Sequence, residues 1–109
     1  MSQFDVHRNP GRNQGIIPYV VVVQSAAFDR LDRRLVIPLL AENGPGAKLK
    51  IPYSDTTPSV IVDGQRLVLN TFEMVSVEAN KLGPSVASLV DSGDVIVAAL
   101  DEVFSRAYR

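Results

Sequence analysis

Val60-Ile61-Val62-Asp63-Gly64-Gln65-Arg66-Leu67-Val68-Leu69-Asn70 is the stretch that decides the fold. Two short aliphatic runs flank Asp-Gly, a pair that readily supplies the positive φ angles of a tight hairpin, so the segment reads as two antiparallel strands. A two-residue turn sets Val62 opposite Gln65. Val60, Val62, Leu67 and Leu69 then share one face, and Ile61 and Val68 the other. Met74, Val75 and Val77 can extend the sheet on the carboxyl-terminal side.

The chain upstream carries more strands. Gln3-Phe4-Asp5-Val6-His7 alternates, which puts Phe4 and Val6 on one face and polar side chains on the other until Asn9-Pro10-Gly11 breaks the pattern. Tyr19 to Val23 is a continuous run of aromatic and β-branched residues suited to a strand covered on both faces. Ser25 to Asp32 reads as an exposed loop. A strand over about Arg34 to Leu40 contains Pro38, whose missing donor predicts a sheet edge or a bulge at that end. Between Ala41 and Pro58, Gly44, Pro45, Gly46, Pro52 and Pro58 mark a long connection, a kind of segment that is usually functional or mobile.

Downstream the period changes. Ile96, Ala99, Leu100, Val103 and Ala107 recur at helical spacing, with Asp91 or Ser92 available as a cap, Asp94 in the first turn, and Arg106 and Arg109 near the end. A helix from about Ser92 to Ala107 is expected. Strands followed by one terminal helix imply a mainly β fold, a curved antiparallel sheet or small barrel with the helix packed across it.

Composition narrows the function. With 109 residues, 46% of them hydrophobic and 21% charged, the chain is expected to form one globular domain over residues 1–109. There is no cysteine and one histidine, so no disulfide forms and no metal site or cofactor is expected. The Ile16 to Val23 stretch is interrupted by Pro18 and is too short for a membrane span, and the opening residues lack a secretory pattern, which makes the cytoplasm the expected compartment. A net charge of −1 argues against a broad nucleic-acid surface. Arg30, Arg33 and Arg34 cluster, but Asp29 and Asp32 interleave with them, as in a solvated turn with local ion pairs.

Familiar catalytic arrangements are missing. There is no nucleophile elbow and no phosphate-binding loop; Gly44-Pro45-Gly46 reads as a turn. His7, Asp29, Asp32, Arg33 and Arg34 include the residue types needed to cleave RNA by acid–base chemistry, yet chains of this length commonly contain them. No catalytic residue is assigned and the protein is expected not to be an enzyme.

Val21-Val22-Val23-Gln24-Ser25, then Asp29, then Arg33-Arg34-Leu35-Val36-Ile37-Pro38-Leu39 resembles, without a gap, the CcdB family of bacterial toxins, where a V-Q-S strand end precedes R-R-x-V-I-P-L. Gln3-Phe4 is similar to the family's opening Gln-Phe, and Thr71, Met74, Ser76 and Val77 to its T-x-x-M-x-S-V run. The resemblance implies an SH3-like barrel with a terminal helix, a homodimer, a CcdA-like antitoxin partner, and a target in DNA gyrase, namely its DNA-cleaving A-type chain. DNA would be reached only through the antitoxin. The same fold houses ribonuclease toxins of the MazF and Kid type, which leaves an endoribonuclease toxin, or a non-toxic antitoxin-binding homologue, as the alternatives.

By the same resemblance the target-binding residues are Gln3, Phe4, Ser25, Ala27, Phe28, Ala98, Asp101, Phe104, Ser105, Arg106 and Ala107. Several depart from the family. The two apolar residues after V-Q-S correspond to Ala27 and Phe28, two helix asparagines to Ala98 and Asp101, and the Phe-Trp-Gly-Ile tail to Phe104 followed by Ser105, Arg106 and Ala107. Loss of an interface tryptophan at Ser105 is worth on the order of 2 kcal/mol, or thirtyfold in affinity, so weak binding to the common laboratory gyrase is expected. Packing offers another role for Phe4, Phe28 and Phe104, as strand termination does for Ser25 and ordinary strand exposure for Gln3.

Overall fold

The computed structural model describes residues 2–42 and 55–105. Its strands are β1 (Asp5–Arg8), β2 (Tyr19–Val22), β3 (Arg33–Ala41), β4 (Ser59–Val62), β5 (Gln65–Leu69), β6 (Val75–Glu78) and β7 (Ala87–Ser88), followed by one helix, α1 (Gly93–Ser105). All pairings are antiparallel. The sheet runs β4-β5-β3-β2-β1-β7, with β6 also paired to β3. It curls into a nearly closed, SH3-like barrel, the architecture expected from the pattern of strands and terminal helix.

The hairpin forms as its sequence dictates. Val62 faces Gln65, and Asp63 and Gly64 have φ of 51° and 76°. Val60, Val62, Leu67 and Leu69 join the main core with Val6, Val21, Ile37 and Leu39, and Ile96 and Ala99 of α1 close it. Ile61 is left exposed on the opposite face. Because Gly64 lies in the left-handed region, where a side chain costs about 1 kcal/mol, Gly64→Ala should lower the urea midpoint by that equivalent without changing the fold.

β3 organises the sheet and corrects the expectation for Pro38. The strand is central, with β2 on one side and first β6, then β5, on the other. Val23 donates to the Leu35 carbonyl, which fixes the ladder parity and turns the Pro38 nitrogen away from β2. There it meets the junction where β6 pairing has ended at Val36 and β5 pairing begins at Leu39. The Pro38 carbonyl still accepts from Asn70. A missing donor is tolerated inside the sheet because the partner strand changes at that point.

The first strand also departs from expectation. The alternation predicts His7 on a solvated face, but it is buried, opposite Val20, with Nδ1 2.7 Å from the Gly83 carbonyl oxygen. Val20, Val22, Val36 and Leu82 form a second small core on this face. The chain around Leu82 and Gly83, ahead of β7, covers what the alternation of β1 alone would leave wet. Of the connection from Ala41 to Pro58, residues 43–54, including Gly44-Pro45-Gly46, lie outside the described residues. So do Arg106, Ala107, Tyr108 and Arg109 of the expected helix end.

Candidate functional site

The loop between β2 and β3 is laced from within. Ser25 accepts from the Ala27 amide through Oγ at 3.2 Å and starts a 3-10 turn over Ala26–Phe28. Gln24 donates through Nε2 to the carbonyls of Phe28 and Arg33 and accepts from the Leu35 amide. Arg34, a buried cation, donates to the carbonyls of Asp29 (2.7 Å), Arg33 (2.8 Å) and Leu31, and its Nε lies 3.6 Å from the Asp29 carboxylate. Burying a guanidinium is tolerable only when such partners replace its water. The local ion pair expected here is present, but Arg34 is enclosed by the loop and not solvated.

Arg33 is exposed and joins β3 to β6. Its Nε and Nη2 donate to the Ser76 hydroxyl and carbonyl at 2.8 Å each, and Glu78 lies 3.9 Å away. Of the polar residues in the sequence blocks singled out above, Gln24, Ser25, Arg33, Arg34 and Ser76 all bond within this loop and its flanking strands.

Two of the candidate target-binding residues join this loop to the helix. Gln3 donates through Nε2 to the Val23 carbonyl at 3.0 Å. Phe4 is buried in the main core with φ of 70°, takes a backbone bond from Leu89, and lays its ring against Gly93 at the start of α1. A Cβ on Gly93 would stand 2.8 Å from Phe4 Cε2, so glycine is what permits this approach.

The remaining candidates divide by element. Ala27 and Phe28 are exposed on the loop, and Ala98, Asp101 and Phe104 on the outward side of α1, with Phe28 and Phe104 51% and 58% exposed. Ser105 is the last residue of α1; Arg106 and Ala107 lie outside the described residues. Val95 and Val97 add apolar surface to the helix, a feature that the family resemblance does not flag although their spacing places them off the buried stripe.

The residues considered for RNA cleavage are not gathered. His7 shares a cross-strand row with Val20 and Pro38, whereas Arg34 lies four residues further along β3, roughly 13 Å at strand rise. Arg33 and Arg34 are already bonded as described. On the second face a cavity of about 380 Å³ lies over Ile17, Val20, Val36, Pro38, Val75 and Val77, with Arg12 and Lys81 as its charged residues. Among the described residues no cluster of His, Cys, Asp or Glu could hold a metal ion. None of their helices is long and apolar enough to cross a membrane.

A nearly closed antiparallel barrel with one terminal helix and a laced β2–β3 loop defines the chain as an SH3-like barrel protein. Its sequence matches the family described as CcdB protein over residues 3–105, and the chain belongs to that family, which makes it a toxin of the toxin–antitoxin class. Membership implies, in general terms, an antitoxin and gyrase as the partners of such a toxin. No curated protein matches the sequence.

Proposed function

We propose that this protein acts by seizing a protein target, with the β2–β3 loop and the outward side of α1 as the two contact elements. Ala27, Phe28, Ala98, Asp101, Phe104 and Ser105 make the contact, together with Arg106 and Ala107 beyond the described helix, while Gln3, Phe4 and Ser25 position it. The target is the breakage–reunion domain of DNA gyrase, carried on the enzyme's A-type chain, from the bacterium that encodes this protein. A cognate antitoxin neutralises it, the working form is a cytoplasmic homodimer, and no step is catalytic.

The observation that carries this reading is the exposure of Phe28 and Phe104. Phenylalanine usually goes to the core, and these two are more than half exposed on elements that Gln3 and Phe4 tie to one another. Large aromatic side chains supply much of the binding energy at protein interfaces.

Induced expression in the native host should arrest growth with double-strand DNA breaks. Co-expression of a short neighbouring frame with an amino-terminal DNA-binding part and an acidic tail should restore growth. Total RNA incubated with the pure protein should stay intact. Specific RNA cleavage that is lost on changing His7 or Arg33 would replace this reading with that of an endoribonuclease toxin.

A further inference from the structure

We infer that Phe28 and Leu31 form a paired apolar anchor, held out from the barrel by the lacing of Gln24 and Arg34, that enters an apolar pocket of the target protein. This rests on the proposed function and adds Leu31 as a contact residue and Gln24 and Arg34 as positioning residues.

Leu31 is 52% exposed, the same as Phe28 within a percentage point, and its amide donates to the Phe28 carbonyl at 3.0 Å. This i to i+3 bond closes a turn that carries one of the two at each end. Scattered exposed apolar residues are ordinary, but these two are joined by a backbone bond and sit on a loop held from within by three side chains. Ser25, Gln24 and Arg34 between them bond the amide of Ala27 and the carbonyls of Phe28, Asp29, Leu31 and Arg33.

That lacing bears on binding because ordering a loop on association costs affinity, and a loop ordered beforehand avoids the cost. A buried arginine spent on loop carbonyls contributes little that a packed apolar residue could not, so its effect is in fixing one loop shape. The surrounding charges select the kind of partner. Asp29 and Asp32 stand beside the anchor with Arg30, which disfavours an anionic lipid surface and suits a protein pocket with a polar rim of both signs.

Two measurements test this on the full chain. In the first, native-state amide exchange is compared for the unsubstituted protein, Gln24→Ala and Arg34→Lys; the lysine keeps the charge and loses the fork. The Phe28 and Leu31 amides should exchange about tenfold faster in the variants, with Val36 and Ile37 unchanged. Equal exchange at Phe28 and Leu31 overturns the positioning role, and if Arg34→Lys fails to fold, Gln24→Ala decides it.

The second is a double-mutant cycle on affinity for the host gyrase breakage–reunion domain. Leu31→Ala should weaken binding about tenfold, and the loss should shrink below about threefold in the Gln24→Ala or Arg34→Lys background. Unchanged affinity of Leu31→Ala overturns the contact, and equal losses in all backgrounds overturn the coupling. Should Phe104→Ala weaken binding while Leu31→Ala does not, the proposed function survives and this inference fails. If the unsubstituted protein binds no gyrase, the gyrase reading falls and the contact role of Leu31 with it, while amide exchange still decides Gln24 and Arg34.

Discussion

Phe4→Ala should destabilise the protein by about 3 kcal/mol, enough to lower Tm by on the order of 15 °C. The ring belongs to the main buried cluster together with Val6, Val21 and Ile96, and removing it leaves a cavity in a core of the usual close-packed kind. Alanine would also inherit the left-handed backbone at this position, φ 70°, so no conformational relief offsets the loss. The damage should spread to α1, because Phe4 is what Gly93 rests on. Gly93→Ala makes the converse error, since its Cβ would press on the same ring. Helix propensity favours that alanine by up to about 1 kcal/mol, while crowding costs about 1 to 3 kcal/mol, so a net loss smaller than that of Phe4→Ala is expected. Thermal unfolding followed by circular dichroism measures both. A Phe4→Ala protein as stable as the parent, yet impaired in target binding, would return Phe4 to the contact surface.

Much of this architecture is legible in the sequence, for reasons that differ by element. Asp63-Gly64 forms its hairpin because the turn requirement is local: both residues must take positive φ, and the alternation on either side then sets the faces. Ile96 and Ala99 identify the buried side of α1 because helical period is likewise a local property. β7 leaves no such trace. It is two residues long and exists because the outer edge of β1 accepts it, a fact stored some eighty residues away. The burial of His7 has the same origin, since Gly83 and Leu82 supply its cover. The missing donor of Pro38 points to an edge, and only the tertiary pairing shows that β3 changes partner there.

The site is harder to read. Arg33-Arg34 looks like a pair of surface charges, because arginine is almost never buried without partners and those of Arg34 are mostly backbone carbonyls, which no residue type announces. Phe28 and Phe104 are ambiguous for the opposite reason: a phenylalanine in a sequence is more often a core residue than a contact. The resemblance to a family locates the loop and the helix. Their exposure, and the internal bonding that holds the loop in one shape, come from the structure.

The double substitution Phe28→Ala with Phe104→Ala carries the largest effect expected on function. An aromatic anchor at the centre of an interface is worth about 2 kcal/mol or more, so each should cost roughly thirtyfold in affinity. The two residues lie on separate elements with no shared hydrogen bond, so their losses should nearly add, to on the order of a thousandfold. Stability should hardly change, since both side chains are already more than half exposed. The measurement that bears most directly on the toxin's mode of action is therefore a calorimetric titration of the unsubstituted protein and this double variant against the host gyrase breakage–reunion domain. Saturable binding by the first and its loss in a folded second are expected; equal affinity of the two, or no binding by either, would contradict target seizure through these aromatic side chains.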